Sequence, residues 1–186
     1  GVYPDLNPAT LAPMRAVEIK SREGEPIRAF VSIPLGAPEE HLPLIVMPDD
    51  GPNGRTEWRF GFLRHFLVSR GYAVLQLQVD ETSRARNHST VRRGLYDAAY
   101  STVEAGVQWA LAQRIADPQR IAIIGWGFGG YVALLGAERH PDLFRCAVGI
   151  NAVTDLNEQP GNHRVRELIG DPPLVPAKSA AGAPPA

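Results

Sequence analysis

A chain of 186 residues with 44% hydrophobic content can bury the core of one domain and is too short for two ordinary ones. A formal net charge of −1 and a pI near 6.6 supply no basic surface for nucleic acid or an anionic membrane, so neither is expected as a partner. The single cysteine, Cys146, excludes an internal disulfide, and no apolar run reaches the roughly 18 residues of a membrane span.

The chain begins at Gly1 with neither an initiator Met nor a basic-then-apolar leader, which reads as a processed or excised chain. Its localisation stays open, with a soluble, cytoplasmic protein favoured. Residues 1–15 are expected to be a linker. Residues 16–33 predict a hairpin, two alternating apolar–polar runs around a turn over residues 23–26. Residues 42–47 are continuously apolar, as in a strand buried on both faces. Thr56 is a candidate helix cap, and Trp58, Phe62, Leu63, Phe66 and Leu67 form one apolar helical stripe, closed by Gly71. Residues 72–79 predict another strand, and the polar, charged stretch 80–93 a surface loop. Leu95, Ala99, Val103, Gly106, Val107, Ala110 and Leu111 then share one face of a long helix. Asp117-Pro118 is expected to break the chain before a strand that starts at Arg120. Residues 145–150 read as a further buried strand with Cys146 as an inert core residue, and residues 163–169 as a short helix. Strands and helices alternate, which predicts an α/β fold with a mostly parallel sheet and helices on both faces. The domain is expected to run over residues 16–171 and to give way to a disordered Pro/Ala tail over 172–186.

The stretch that concentrates chemical information is Arg120-Ile-Ala-Ile-Ile-Gly-Trp-Gly-Phe-Gly-Gly-Tyr131. A β-branched run, a knot of glycines and a helix-like segment make a strand–turn–helix, the frame of a G-x-S-x-G nucleophile elbow. The serine of that pattern falls at position 127, which is glycine.

Leu11-Ala-Pro-Met-Arg15, Arg70-Gly-Tyr-Ala-Val74, Ile115-Ala-Asp-Pro118, Gly125-Trp-x-x-Gly-Gly-Tyr131 and Pro141-Asp-Leu-Phe-Arg-Cys146 occur in this order. Together they resemble the catalytic domain of the prolyl oligopeptidase family of serine peptidases, in its acylaminoacyl-peptidase and dipeptidyl-peptidase-like branches, over about residues 3–171. The resemblance implies an α/β-hydrolase fold, a peptide or small ester as ligand, acyl transfer to serine followed by hydrolysis, and no metal or organic cofactor. It also implies that a β-propeller can precede residue 1.

The chain departs from this pattern in several places. Gly127 replaces the serine, and Trp126, Phe128 and Tyr131 offer no substitute nucleophile within the elbow. The family's His-Gly-Gly-Pro oxyanion loop corresponds to Asp49-Asp50-Gly51-Pro52, which brings carboxylates where donors are needed. The glycine-rich loop after the second buried strand is replaced by a glycine-free segment starting at Asp80. The triad acid and base should follow the serine after further strands, and only one clear strand does so. Asp155 and His163 stand in the right order but read as a polar loop, and His140 as a helix-end histidine favoured by the dipole. The expectation is a degenerate or truncated, inactive relative lacking its C-terminal strands, with Phe128 N–H as a residual oxyanion donor. An out-of-frame ending near Asp171 would produce such a chain.

Other readings compete. Gly125-x-Gly127-x-x-Gly130 also matches the dinucleotide fingerprint, but Trp126 and Phe128 are bulky where a pyrophosphate would approach. Asp49, Asp50, Asp80 and Glu81 can be combined into a divalent-metal set, although solvated carboxylates are the simpler reading. Asn87-His-Ser89 is a glycosylation sequon and carries no weight. A non-catalytic binding or oligomerisation module is the strongest alternative to an enzyme. A sheet that stops at strand 145–150 has an unpaired apolar edge, which predicts self-association.

Overall fold

The computed structural model describes residues 7–49, 61–79 and 91–152, without the side chains of Pro8 and of 91–98. Its contacts cluster into two units, Gly1–Thr154 and Asp155–Ala186, and every described residue lies in the first. A short 3-10 turn at Pro8–Thr10 leads into β1 (Met14–Lys20) and β2 (Pro26–Ser32), followed by β3 (Leu42–Pro48), α1 (Phe62–Ser69), β4 (Ala73–Leu77), α2 (Val91–Ala112), β5 (Ala116–Trp126), α3 (Gly127–Arg139) and β6 (Cys146–Ile150). The strands form one six-stranded sheet in the order β1-β2-β4-β3-β5-β6. The β1–β2 and β2–β4 pairs are antiparallel, and β3–β4, β3–β5 and β5–β6 are parallel. The expected α/β-hydrolase-type, mostly parallel sheet with helices on both faces is what forms.

Two-residue periodicity explains why both faces need helices. In β3, Leu44 and Val46 enter a core shared with α2 and α3, while Ile45 and Met47 enter a second core under α1. The first core gathers Leu75, Leu77, Ile121 and Ile123 of the sheet with Ala99, Val103 and Val107 of α2 and Val132 of α3. Fully burying such a side chain is worth about 1.5–3 kcal/mol. Exposed ion pairs such as Arg15–Glu39, at 3.0 Å, contribute about 0–1 kcal/mol each. Apolar burial therefore holds the sheet, and the charges decorate it. Gly106 lets α2 settle onto β4, since a Cβ there would lie 2.7 Å from Leu77 Cδ1.

Several elements differ from the sequence expectation. The first strand begins at Met14, inside the stretch read as a linker, and Ala12 before it is already buried. Helix α2 begins at Val91, within the stretch read as a loop to residue 93. Asp117-Pro118 does not break the chain but lies within β5. There the Asp117 carboxylate accepts from Gln119 N–H at 2.8 Å and Arg120 Nε–H at 2.7 Å, and the β3–β5 register shifts between Leu42 and Leu44. That irregularity accommodates a proline, which cannot donate to the ladder. In α1 the buried residues are Arg64 and Val68; of the predicted apolar stripe Leu63 and Leu67 pack against the second core, whereas Phe62 and Phe66 are 72% and 44% exposed. Gly71 does close this helix, with φ +92°. Among the described residues strand β6 is the last of the sheet, and Cys146 is exposed rather than a core residue. Thr56, Trp58, the loop 80–90, the predicted helix 163–169 and the tail 172–186 lie outside the described residues.

Candidate functional site

The parallel strands β3, β4 and β5 end together, which in open α/β sheets is where ligands bind. From there β5 runs directly into α3. Trp126 is extended at φ −108° and ψ 151°, and Gly127 turns to φ +48°, in the left-handed region. A single-residue reversal of this kind is the sharp strand-to-helix turn of a nucleophile elbow, here made without strain because the residue is glycine. Residue 127 occupies the apex, and its glycine carries no side chain.

The surrounding glycines are there because backbones meet. A Cβ on Gly125 would lie 2.1 Å from Gly129 O, so the first turn of α3 folds tightly over the strand end. A Cβ on Gly129 would lie 2.6 Å from both Pro48 O and Asp49 O, which places the end of β3 against the same turn. A Cβ on Gly130 would meet Ala152 Cβ at 3.0 Å and Ile150 N at 3.3 Å, next to the end of β6. Three strand ends thus converge on the elbow. Internal packing accounts for Gly125, Gly129 and Gly130, and the dinucleotide reading of Gly125-x-Gly127-x-x-Gly130 gains no support from them. Phe128, the expected oxyanion donor, is the second residue of α3, half-buried and packed against the main core.

Asp49 stands beside this turn, but its carboxylate is engaged across the sheet. Asp49 Oδ1 accepts the N–H of Val79 at 3.0 Å, and Asp49 N–H donates to Leu77 O at 3.1 Å. The aspartate clamps the end of β3 to the end of β4. The groups that the end of β3 turns toward Gly129 are the main-chain carbonyls of Pro48 and Asp49. Asp50, Gly51, Asp80, Glu81, Asp155 and His163 lie outside the described residues. Among the described residues no group of three or more His, Cys, Asp or Glu is placed to hold a metal, and no helix is long and apolar enough to cross a membrane.

Sequence reasoning missed Arg64. It is 4% exposed and donates from Nη1 to Ser32 Oγ at 3.0 Å, joining α1 to β2. Burial pushes its pKa down, and burial and then the neighbouring Arg64 push that of His65 down. No periodicity marks such a residue, because an arginine on a helix normally faces water. A shallow groove lined by Glu104, Gln108, Arg139, His140, Asp142 and Leu143 lies at the opposite end of α3. At 1.5 Å per residue the 13-residue helix separates it from the elbow by roughly 20 Å, too far to serve it. His140 sits there at the C-cap, 3.3 Å from Glu104 and stacked on Tyr100, as a helix-end histidine would. Tyr100 is pushed up to about 12, first by burial and then by Glu104.

The model of the prolyl oligopeptidase family matches residues 58–165, more than half of the chain and the whole of the elbow. The chain belongs to the prolyl oligopeptidase family. Dipeptidyl aminopeptidase BIII of Pseudoxanthomonas mexicana is 29% identical over 163 residues, covering 83% of this chain and 24% of that protein. The solved structure of a puromycin-hydrolyzing peptidase of Mycobacterium tuberculosis superposes with a TM-score of 0.75 at 28% identity, over 90% of this chain and 28% of that one. The acylaminoacyl peptidase of Pyrococcus horikoshii shares the fold at a TM-score of 0.69 and 21% identity, over 91% of this chain and 28% of that one. This family member spans about a quarter of the length of the relatives it matches.

Proposed function

We propose that this chain is a serine-peptidase relative without peptidase turnover, whose elbow persists as architecture. The observation that carries the reading is Gly127 itself, a glycine with φ +48° at the apex where the elbow pattern places serine. Acyl transfer needs a side-chain oxygen to attack the carbonyl, and glycine has none. Loss of a triad serine leaves only the residual rate that binding and an oxyanion hole supply. A peptide or small ester binding without hydrolysis at the strand ends is the function that follows, and the chain then acts as a binding module.

The test is a paired assay of the native chain and Gly127→Ser with an activated ester. The expected result is no turnover by the native chain. Activity in the serine variant alone supports an elbow competent in all but its nucleophile, and activity in neither places further damage in the acid and base partners. Comparable activity in both overturns the proposal.

A further inference from the structure

Helix α3 is anchored at both ends. The strand ends around Gly125, Gly129 and Gly130 hold its first turn, and side chains of α2 hold its last. His140, at the C-cap, donates its main-chain N–H to Gly136 O at 3.0 Å. Its ring stacks on Tyr100 of α2, with centroids 5.5 Å apart and planes 14° apart. Its Nε2 stands 3.3 Å from Glu104 Oε1, one turn further along α2. Gly136 makes room for this stack, since a Cβ there would lie 3.2 Å from both Tyr100 Cε2 and Phe144 Cε2. The His140 and Glu104 side chains are 48% and 33% exposed, so solvent protons reach the pair. Asp142 lines the same groove, and Arg139 Cζ lies 5.6 Å from the Tyr100 ring centroid.

We infer that His140 is a pH-operated latch on the elbow helix, whose imidazolium ties the last turn of α3 to Glu104 and Tyr100 in mild acid and slackens when the proton leaves. Every contact of the ring is stronger in the charged form. The Glu104 carboxylate becomes a counter-ion, the last carbonyls of α3 favour a cation, and the face of Tyr100 attracts one. The charged or titratable groups around the imidazole, among the described residues, are Glu104 and Tyr100 from α2, Arg139 from α3 and Asp142 from the turn that follows. Tyr100 stays uncharged, since burial and then Glu104 push its phenol up to about 12. Arg139 alone opposes a second positive charge, against two carboxylates. The protonated ring is the form the fold favours, so the latch adds stability below the imidazole range and loses it as pH rises through that range. An ion pair this exposed changes the folding equilibrium constant by at most about fivefold, which makes the latch a trimming device rather than an on–off switch. The inference does not depend on whether the elbow is catalytic.

A double-mutant cycle tests it, because the cycle isolates this pair from every other histidine of the chain. Native chain, Glu104→Gln, His140→Gln and the double variant are compared by urea denaturation at about pH 5.5 and about pH 8.5, on either side of the imidazole range. The expected result is a favourable coupling of about two- to fivefold in the folding equilibrium constant in acid, which disappears in base. A coupling of the same size at both pH values, or none in acid, overturns the inference. Should a variant fail to fold, amide exchange of the native chain decides. Protection factors divide out the intrinsic pH dependence of exchange. Those of Arg139 and His140 are expected to rise in acid relative to Val132 and Ala133 in the middle of α3. A last turn whose relative protection is equal or lower in acid overturns the inference.

Discussion

Gly125 and Gly24 show two separate reasons for a glycine, and the difference can be measured. Gly24 turns the β1–β2 hairpin at φ +87° with nothing within 4 Å of a would-be Cβ, so only its backbone conformation asks for glycine. Gly24→Ala should cost about 1–2 kcal/mol, the penalty of an L-residue in the left-handed region. At Gly125 the obstacle is the backbone of Gly129, 2.1 Å away, which cannot rotate aside as a side chain can. Gly125→Ala should therefore cost about 3 kcal/mol, at the upper end of overpacking penalties. Urea denaturation of the two variants distinguishes the causes, and an equal loss in both would refute the packing account of the elbow. Sequence spacing alone identified the knot of glycines, but only the approach of Pro48 and Asp49 to Gly129 shows what each glycine does. Asp49 teaches the same lesson. Its place at the end of an apolar strand was legible, whereas its bond to Val79 depends on β3 and β4 being neighbours, thirty positions apart in the chain.

Elements were legible where one property repeated. The apolar run of β3, the alternation in β1 and β2 and the Ala99–Val103–Val107 face of α2 all follow from burial on one or both sides. They were misread where a long-range partner overrode the local signal. Part of the stripe in α1 is such a case, because Arg64 is drawn inward by Ser32 of β2 while Phe62 and Phe66 stack on each other outside, ring centroids 6.3 Å apart, and only Leu63 and Leu67 pack inward. Ser32→Ala removes that acceptor from a buried guanidinium and should destabilise the chain by about 1.5–3 kcal/mol, seen as a lower urea midpoint at unchanged slope. An unshifted midpoint would show that the Arg64–Ser32 bond adds nothing. The start of β5 offers a pH handle. The Asp117 carboxyl is held below its ordinary value by the Gln119 N–H first and then by Arg120. Because the folded-state value is the lower one, the stability Asp117 adds is fully present above the unfolded value of about 4 and is lost as pH falls through the folded one. Native chain and Asp117→Asn should therefore differ in thermal stability at pH 7 and converge near pH 2, and a gap that is constant across this range would contradict the assignment.

At the scale of the whole molecule, the sheet has its most protected strands in the middle, where β4, β3 and β5 carry fully buried Leu75, Val46 and Ile123, and its differences at the rims. The middle was readable because parallel strands buried on both faces must be apolar throughout. The outer described strands were not, since the apolar letters of β6 do not tell how exposed its side chains are. The elbow stands at the junction of these regions, with contacts to the ends of β3, β5 and β6. Those contacts hold the left-handed turn at residue 127 without help from any side chain there. The backbone geometry of the elbow is thus a requirement of packing at these strand ends, whatever side chain position 127 carries.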